Sequence, residues 1–203
     1  MSPPSLTLAA VLAYALGCVS TGYYLVRLRT GKDVREEGSG SVGARNVGRV
    51  LGRKGFALVF LGDCAKGAAA VWAANALGTG QPGVMLAMLA VVLGHVFPVQ
   101  LRFRGGKGAS TALGALLAID FRVALAALLV CAALYAASRR AVPSGLVVFS
   151  FLPVLAGLFG HSPAGVTAVA AVSVLLLLAH RENVAEAVRE LRGVAPTPNR
   201  APR

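Results

Sequence analysis

Long apolar stretches separated by short basic segments make up most of this sequence. The stretches at residues 5–26, 56–77, 82–99, 142–159 and 164–179 are close to or above the roughly 20 residues that an α-helix needs to cross a bilayer. Of the 203 residues, 56% are hydrophobic and 14% are charged, whereas about a quarter of the residues in soluble domains are charged. The sequence therefore predicts an all-α integral membrane protein.

The number of spans depends on residues 109–137, where Asp120 and Arg122 interrupt an apolar run. With a turn at these two residues there are seven spans, and eighteen of the twenty Lys and Arg residues lie on one side of the membrane. A single span would distribute them over both sides. Because cytoplasmic loops carry the excess of Lys and Arg, we predict a seven-transmembrane-helix bundle with the amino terminus outside and the carboxyl terminus in the cytoplasm.

Composition also limits the number of domains and the classes of function. One transmembrane domain is predicted over residues 1–193, followed by a disordered tail at residues 194–203. The net charge of +12 is typical of a nucleic-acid-binding protein, but the cations lie in short segments between apolar runs, where membrane topology explains them first. The three cysteines lie in apolar stretches without CxxC spacing, so no disulfide framework or zinc site is indicated.

Residues 94–111, GHVFPVQLRFRGGKGAST, combine cations with closely spaced glycines. Because glycine adopts backbone conformations closed to other residues, such a loop can turn its N–H groups inward beside the cations, which is the chemistry of an oxyanion site. A basic turn between two helices is the alternative, and we favour the anion site. The cations and glycines are Arg102, Arg104, Gly105, Gly106, Lys107 and Gly108.

Two further polar segments lie on the same cytoplasmic side in the seven-span topology. GSGSVGARNVGR, residues 38–49, lies in a predicted basic loop at residues 27–55, and HREN occupies residues 180–183. We expect these segments to meet residues 94–111 at one membrane surface, where cations and amide donors suit two phosphate groups. His180 is the side chain there that is poised to transfer a proton near neutral pH.

Asp63 and Lys66 lie three positions apart within an apolar stretch, and therefore on one face of a helix. Charges at membrane depth are costly and usually face a cavity or each other. Two interpretations remain open at this point. The pair could neutralise itself and lock helix packing, or it could support a polar site.

Three motifs in this order resemble those of the bacterial acyl-phosphate-dependent glycerol-3-phosphate acyltransferases. The first family motif is approximately GSGNxGATNxxR, and the matching residues are Gly38, Ser39, Gly40, Gly43, Ala44, Asn46 and Arg49. The second is approximately GHxFPxxxxFxGGKGxAT, matched by Gly94, His95, Phe97, Pro98, Phe103, Gly105, Gly106, Lys107, Gly108 and Thr111. The third opens with HRxN, matched by His180, Arg181 and Asn183, and a D-x-x-K-G pattern matches Asp63, Lys66 and Gly67.

The resemblance implies transfer of a fatty acyl group from acyl phosphate to the 1-hydroxyl of glycerol 3-phosphate. The products would be lysophosphatidate and phosphate, in the first step of phospholipid synthesis. The implied partners are glycerol 3-phosphate, acyl phosphate and membrane lipid, with no nucleic acid, cofactor or metal. The active site would face the cytoplasm from the plasma (inner) membrane of a bacterium.

The resemblance also implies roles for particular residues. His180, Asn183 and Lys107 would be catalytic. Substrate and phosphate would be bound by Ser39, Gly40, Asn46, Arg49, His95, Gly105, Gly106 and Gly108. The proton of the attacking hydroxyl could pass to His180 or to a phosphate oxygen of the substrate. Acyl phosphate already has a good leaving group, and positioning alone can lower a barrier by roughly 7–11 kcal/mol.

The chain departs from the family pattern at several motif positions. Ser41 replaces Asn and Arg45 replaces Thr, whereas Glu186 and Ala187 stand where the third motif continues with a basic run. RRAVPS, residues 139–144, is only a loose match to a serine-containing family stretch. These departures concern substrate contacts and not the fold.

The alternative function is non-catalytic binding of anionic lipid headgroups, or transport of a small anion, with the same cations. A transporter should have its site near the bilayer midplane. Only Asp63 and Lys66 lie at that depth in this topology. The concentration of donors near the surface therefore favours the enzyme.

Overall fold

The computed structural model describes residues 3–192, and within them it contains α-helices and short 3-10 turns but no strand. The helices form two compact units, one ending at Ile119 and one beginning at Asp120. The all-α prediction is confirmed for the described residues. The predicted tail at residues 194–203 lies outside them, and the single domain over residues 1–193 stays a prediction.

The first unit contains five α-helices and two 3-10 turns among the described residues. The helices are α1 (Pro3–Cys18), α2 (Thr21–Thr30), α3 (Ala44–Ala76), α4 (Gly80–Val96) and α5 (Ala109–Ile119), and the turns are Val34–Glu36 and Val99–Leu101. α3 packs against all four other helices, and α4 also contacts α1 and α5. α3 bends at Gly52, where φ is 71° and ψ is −167°, a backbone region essentially restricted to glycine.

Glycines allow close helix crossings in this unit, as expected where helices associate by van der Waals packing. A Cβ on Gly114 would overlap the carbonyl of Cys64, and a Cβ on Gly67 would overlap that of Thr111. Backbone therefore touches backbone at these points. The glycines concerned are Gly17 and Gly94 between α1 and α4, and Gly67 and Gly114 between α3 and α5.

The second unit contains α6 (Phe121–Ser138), α7 (Ala141–Leu158), α8 (Pro163–Ala179) and α9 (Arg181–Leu191). α7 packs against the other three helices, and α8 also contacts α9. Asp120 caps α6 by accepting a hydrogen bond from the Arg122 backbone N–H at 2.9 Å, and its Oδ2 lies 3.2 Å from His161 Nε2. The pKa of Asp120 lies well below its usual range. The main cause is hydrogen bonding from the Arg122 side chain, and a hydrogen bond from His161 adds to it.

Five segments are long and apolar enough to cross a membrane, and a sixth is added if α8 and α9, bent by 71°, are counted together. The five are Ser5–Thr30, Ala44–Ala76, Gly80–Leu101, Phe121–Ser138 and Ala141–Leu158. The predicted interruption at Asp120 is confirmed, because α5 ends before it and α6 begins after it. At 11 residues, α5 is shorter than a typical span.

The prediction of a basic loop over residues 27–55 is wrong at both ends. α2 continues to Thr30 and α3 already begins at Ala44, so many of the cations lie on helices. Arg, Leu and Ala are strong helix formers, and the apolar stretches therefore extend as helices into the basic sequence. α2 ends where Gly31 adopts the left-handed conformation and its N–H donates to the Arg27 carbonyl.

We predict that Gly114→Ala destabilises the first unit, because the added methyl group would overlap the Cys64 backbone. The expected loss is about 1–3 kcal/mol of unfolding free energy, measured as a lower thermal midpoint in detergent. Gly157→Ala in α7 is the matched control, since its Cβ would meet nothing closer than 3.9 Å. An equal or smaller loss for Gly114→Ala than for the control would contradict the prediction.

Candidate active site

The loop at residues 31–43 is organised by Asn46, which lies in the first turn of α3 and is 1% exposed. Its Oδ1 accepts a hydrogen bond from the backbone N–H of Ser39 at 2.8 Å. Its Nδ2 lies 2.9–3.1 Å from three carbonyl oxygens of the loop, those of Val34, Glu37 and Ser41. Both polar atoms of the amide are therefore used within the protein, and direct substrate binding by Asn46 does not fit this geometry.

Arg35 joins this loop to the second basic segment. Its Nη1 donates to the carbonyl of Leu101 at 3.0 Å, and its Nη2 pairs with the Asp33 carboxylate at 2.6 Å. The hydrogen bonds from Arg35 lower the pKa of Asp33. This contact of Arg35 could not be predicted from the sequence, because nothing in the spacing of Arg35 distinguishes it from the neighbouring cations.

The loop after α4 folds back onto the last turn of that helix. The N–H of Gly105 donates to the Val96 carbonyl at 3.1 Å, and the N–H of Gly106 donates to the His95 carbonyl at 3.0 Å. A Cβ on Gly106 would overlap the His95 ring. The expectation that these two glycines turn their N–H groups toward an oxyanion is therefore wrong, and they instead hold the half-buried Lys107 in place.

Gly40 and Gly108 have backbone conformations that favour glycine. Their φ angles are 68° and 82°, in the left-handed region that other residues rarely adopt. The N–H of Gly40 donates to the Glu37 carbonyl at 3.0 Å, so this glycine also closes its loop internally. Ser39, next to it, is exposed.

Three arginines of α3 line an open groove with a volume of about 620 Å³. Arg45, Arg49 and Arg53 are exposed and stand at intervals of four residues. The other lining residues are Gly48, Phe56 and Ala57. These guanidinium groups form no ion pair with any part of the chain that the structure describes. Among the described residues nothing compensates this positive charge, and apolar surface lies beside it, which suits an anion attached to an apolar group.

His95 is placed beneath the glycine loop and not at the surface. It is 3% exposed, and its Nδ1 lies 3.1 Å from Thr111 Oγ1 and 3.7 Å from Asp63 Oδ1. A buried ring in this position is not accessible to a phosphate group, so the direct binding role predicted for His95 does not fit. The pairing of Asp63 with Lys66 is confirmed, at 2.9 Å.

His180 and Asn183 lie in the second unit, at the bend between α8 and α9. The His180 Nδ1 lies 2.8 Å from the Leu176 carbonyl. A carbonyl only accepts hydrogen bonds, so Nδ1 carries the proton and the lone pair of the neutral ring is on Nε2. The ring also stands 5.4 Å from the Phe149 ring. Both His180 and Asn183 are half-buried.

The described residues contain no group of three or more His, Cys, Asp or Glu side chains that could hold a metal ion. The exposed and half-buried polar groups described above are guanidinium, ammonium, amide and imidazole groups. These groups bind oxyanions and transfer protons.

The family described as glycerol-3-phosphate acyltransferase matches residues 7–190 of this sequence. The chain belongs to this family. A glycerol-3-phosphate acyltransferase 1 of Desulfitobacterium hafniense (strain Y51) is 42% identical over 174 residues, which cover 86% of each chain. One from Bacillus cereus (strain ATCC 14579) is 39% identical over 85% of this chain and 94% of its own length.

Two solved structures of PlsY (YgiH), an integral membrane glycerol 3-phosphate acyltransferase, resemble this acyltransferase family member over its whole fold. The glycerol 3-phosphate form has a TM-score of 0.84 and 32% sequence identity, and the lysophosphatidic acid form has 0.81 and 30%. Each similarity covers 96% of both chains. The prediction of the family from its motifs is confirmed, and so is the integral membrane class.

We predict that Asn46→Asp disorders the loop at residues 31–43, because a carboxylate oxygen would face three carbonyl oxygens in place of an amide donor. Cleavage by trypsin at Lys32 and Arg35 should become faster. Asn75→Asp, an equal change at an exposed position at the end of α3, should leave the cleavage rate unchanged. Equal rates for the two variants would show that Asn46 does not organise the loop.

Proposed function

We propose that this chain transfers a fatty acyl group from acyl phosphate to the 1-hydroxyl of glycerol 3-phosphate, giving lysophosphatidate and inorganic phosphate. The observation that carries the proposal is the match to the acyltransferase family over residues 7–190, with all three motifs present. The similar PlsY structures are a glycerol 3-phosphate form and a lysophosphatidic acid form. These two ligands are the acceptor substrate and the lipid product of the proposed reaction.

Phosphate binding in this proposal falls to exposed or half-buried groups of the first unit. Arg49 lies in the open basic groove, Ser39 is exposed in the loop before α3, and Lys107 is held by the glycine loop. Charge-assisted hydrogen bonds to phosphate are stronger than neutral ones. Asn46, His95, Gly40, Gly105 and Gly106 shape the two loops and act on the substrate through them.

The chemical step needs no acyl-enzyme, because phosphate is a good leaving group. The 1-hydroxyl oxygen attacks the acyl carbonyl carbon, the bond from that carbon to the phosphate oxygen breaks, and phosphate leaves with the electron pair. We assign the hydroxyl proton to His180 Nε2, which carries the lone pair because Nδ1 donates to the Leu176 carbonyl. Asn183 orients the substrate hydroxyl.

The topology that we propose has seven spans, an outer amino terminus and a cytoplasmic carboxyl terminus in the bacterial inner membrane. Six spans are the long segments and α8, and the seventh is α5. At 1.5 Å per residue α5 is about 16 Å long, less than the roughly 30 Å of the hydrocarbon core. Its packing against α3 and α4 supports a short span shielded by protein. The charge distribution, with eighteen of twenty cations on one side, supports a cytoplasmic active site.

We predict that Lys107→Ala abolishes acyl transfer while the protein stays folded in detergent, because the ammonium group is lost but the loop hydrogen bonds are made by backbone atoms. The assay is release of phosphate from palmitoyl phosphate that depends on glycerol 3-phosphate, with palmitoyl coenzyme A as a parallel donor. Lys54→Ala, at an exposed lysine of α3, is the control and should retain activity. Wild-type turnover by Lys107→Ala would rule out its catalytic role, and no turnover by the unmodified protein would favour anion binding without catalysis.

For His180→Ala we expect kcat to fall by about 100- to 10,000-fold, the usual contribution of a general base. The KM for glycerol 3-phosphate should change little. His161→Ala, which removes the other histidine of the second unit, should have a much smaller effect on kcat. A change confined to KM would instead make His180 a binding residue.

A further inference from the structure

A buried polar network connects the break between α1 and α2 to the loop that carries Lys107. Lys66 Nζ lies 2.9 Å from Asp63 Oδ1 and donates to the Val19 carbonyl at 2.8 Å. Thr21, the first residue of α2, donates from Oγ1 to the same Asp63 oxygen at 3.2 Å. The charged pair on α3 therefore forms hydrogen bonds with residues on both sides of the non-helical segment between α1 and α2.

The network continues to both ends of the glycine loop. Asp63 Oδ1 lies 3.7 Å from His95 Nδ1, and that nitrogen lies 3.1 Å from Thr111 Oγ1. His95 is in the last turn of α4, before the loop, and Thr111 is in the first turn of α5, after it. Gly106 lies against the His95 ring between these two ends.

Stability alone does not account for ionic groups at this place. Asp63 is 1% exposed and Lys66 is 7% exposed, and a buried ion pair often contributes no more to stability than an apolar pair of similar volume. α3 and α5 already pack closely without the ion pair, because their backbones touch directly at Gly67 and Gly114. What the ion pair adds is direction, because hydrogen bonds between particular atoms fix the orientation of the polar groups that meet here.

We propose that four residues are positioning residues that set the position and orientation of the Lys107 side chain. They are Asp63, Lys66, His95 and Thr111. A hydrogen bond with Thr111 orients the His95 ring, and the Asp63 carboxylate lies beside the same ring nitrogen. The ring supports Gly106, and Gly106 precedes Lys107 directly. This inference rests on the proposed function, since it requires Lys107 to act on the substrate. It resolves the two interpretations of the Asp63–Lys66 pair in favour of support for a polar site.

Two fully buried threonines of the first unit provide a matched test. Thr111 and Thr79 are both 0% exposed, and the hydroxyl of Thr79 donates to the Ala74 carbonyl at 2.8 Å, far from the loop in sequence. Thr111→Val should lower kcat/KM by about 10- to 100-fold, the cost of misplacing a catalytic group by a fraction of an ångström to one ångström. Thr79→Val should keep the wild-type value, and Thr111→Ser should restore most of the activity.

A double-mutant cycle links the effect to the lysine. In a Lys107→Arg background, Thr111→Val should cause a much smaller further loss than it causes alone, because the positioned group has already been replaced. Asp63→Leu/Lys66→Met provides a second variant that removes the network without leaving a single buried charge. It should keep its thermal midpoint in detergent but lose activity to a similar degree.

The outcomes separate this inference from the proposed function. Equal activity of Thr111→Val, Thr79→Val and the wild-type protein would overturn the inference and leave the function standing. Additive losses in the cycle would also overturn it, because the network would then act elsewhere. An inactive wild-type protein would overturn the proposed function and the inference together. Loss in Thr111→Val, rescue by serine and non-additivity with Lys107→Arg would support both.

Discussion

The ion pair between Asp63 and Lys66 is the interaction around which the buried polar groups of the first unit are arranged. A single buried Asp or Lys at membrane depth would be costly, so each charge requires the other. The pair in turn requires partners around it, and it finds them in the Val19 carbonyl and the Thr21 hydroxyl, with His95 beside it. The pair thereby orients polar groups that lie on elements distant in sequence. The close glycine crossings then supply contact area without bulky side chains.

The helices could be predicted from the sequence because apolar length is the dominant signal in a membrane protein. The interruption at Asp120 could be predicted as well, since a carboxylate followed by Arg122 is a natural helix cap. The limits of the basic loop could not. The hydropathy signal ends at the first cluster of arginines, whereas the backbone hydrogen bonds of the helix continue until Gly31 ends α2.

The residues proposed for the candidate site come from the motifs, whereas the geometry of the two loops could not be predicted from them. The motifs point to Lys107, Arg49 and His180, and in the structure Arg49 is exposed while Lys107 and His180 are half-buried. Glycine spacing could not reveal that the N–H groups of Gly105 and Gly106 are directed back to α4. Nor could it reveal that His95 is beneath the loop, because burial depends on how helices pack and not on the motif itself.

The bend of α3 at Gly52 restricts the chirality of the amino acid that can occupy this position. A Cβ at this position would meet no neighbouring atom within 4 Å, so space does not exclude an alanine. The φ of 71° and ψ of −167° do, because they disfavour every L-amino acid. Their mirror image is an ordinary extended conformation, so this backbone conformation suits a D-amino acid and strains an L-amino acid. Position 52 is therefore constrained by chirality and not by the space for a Cβ.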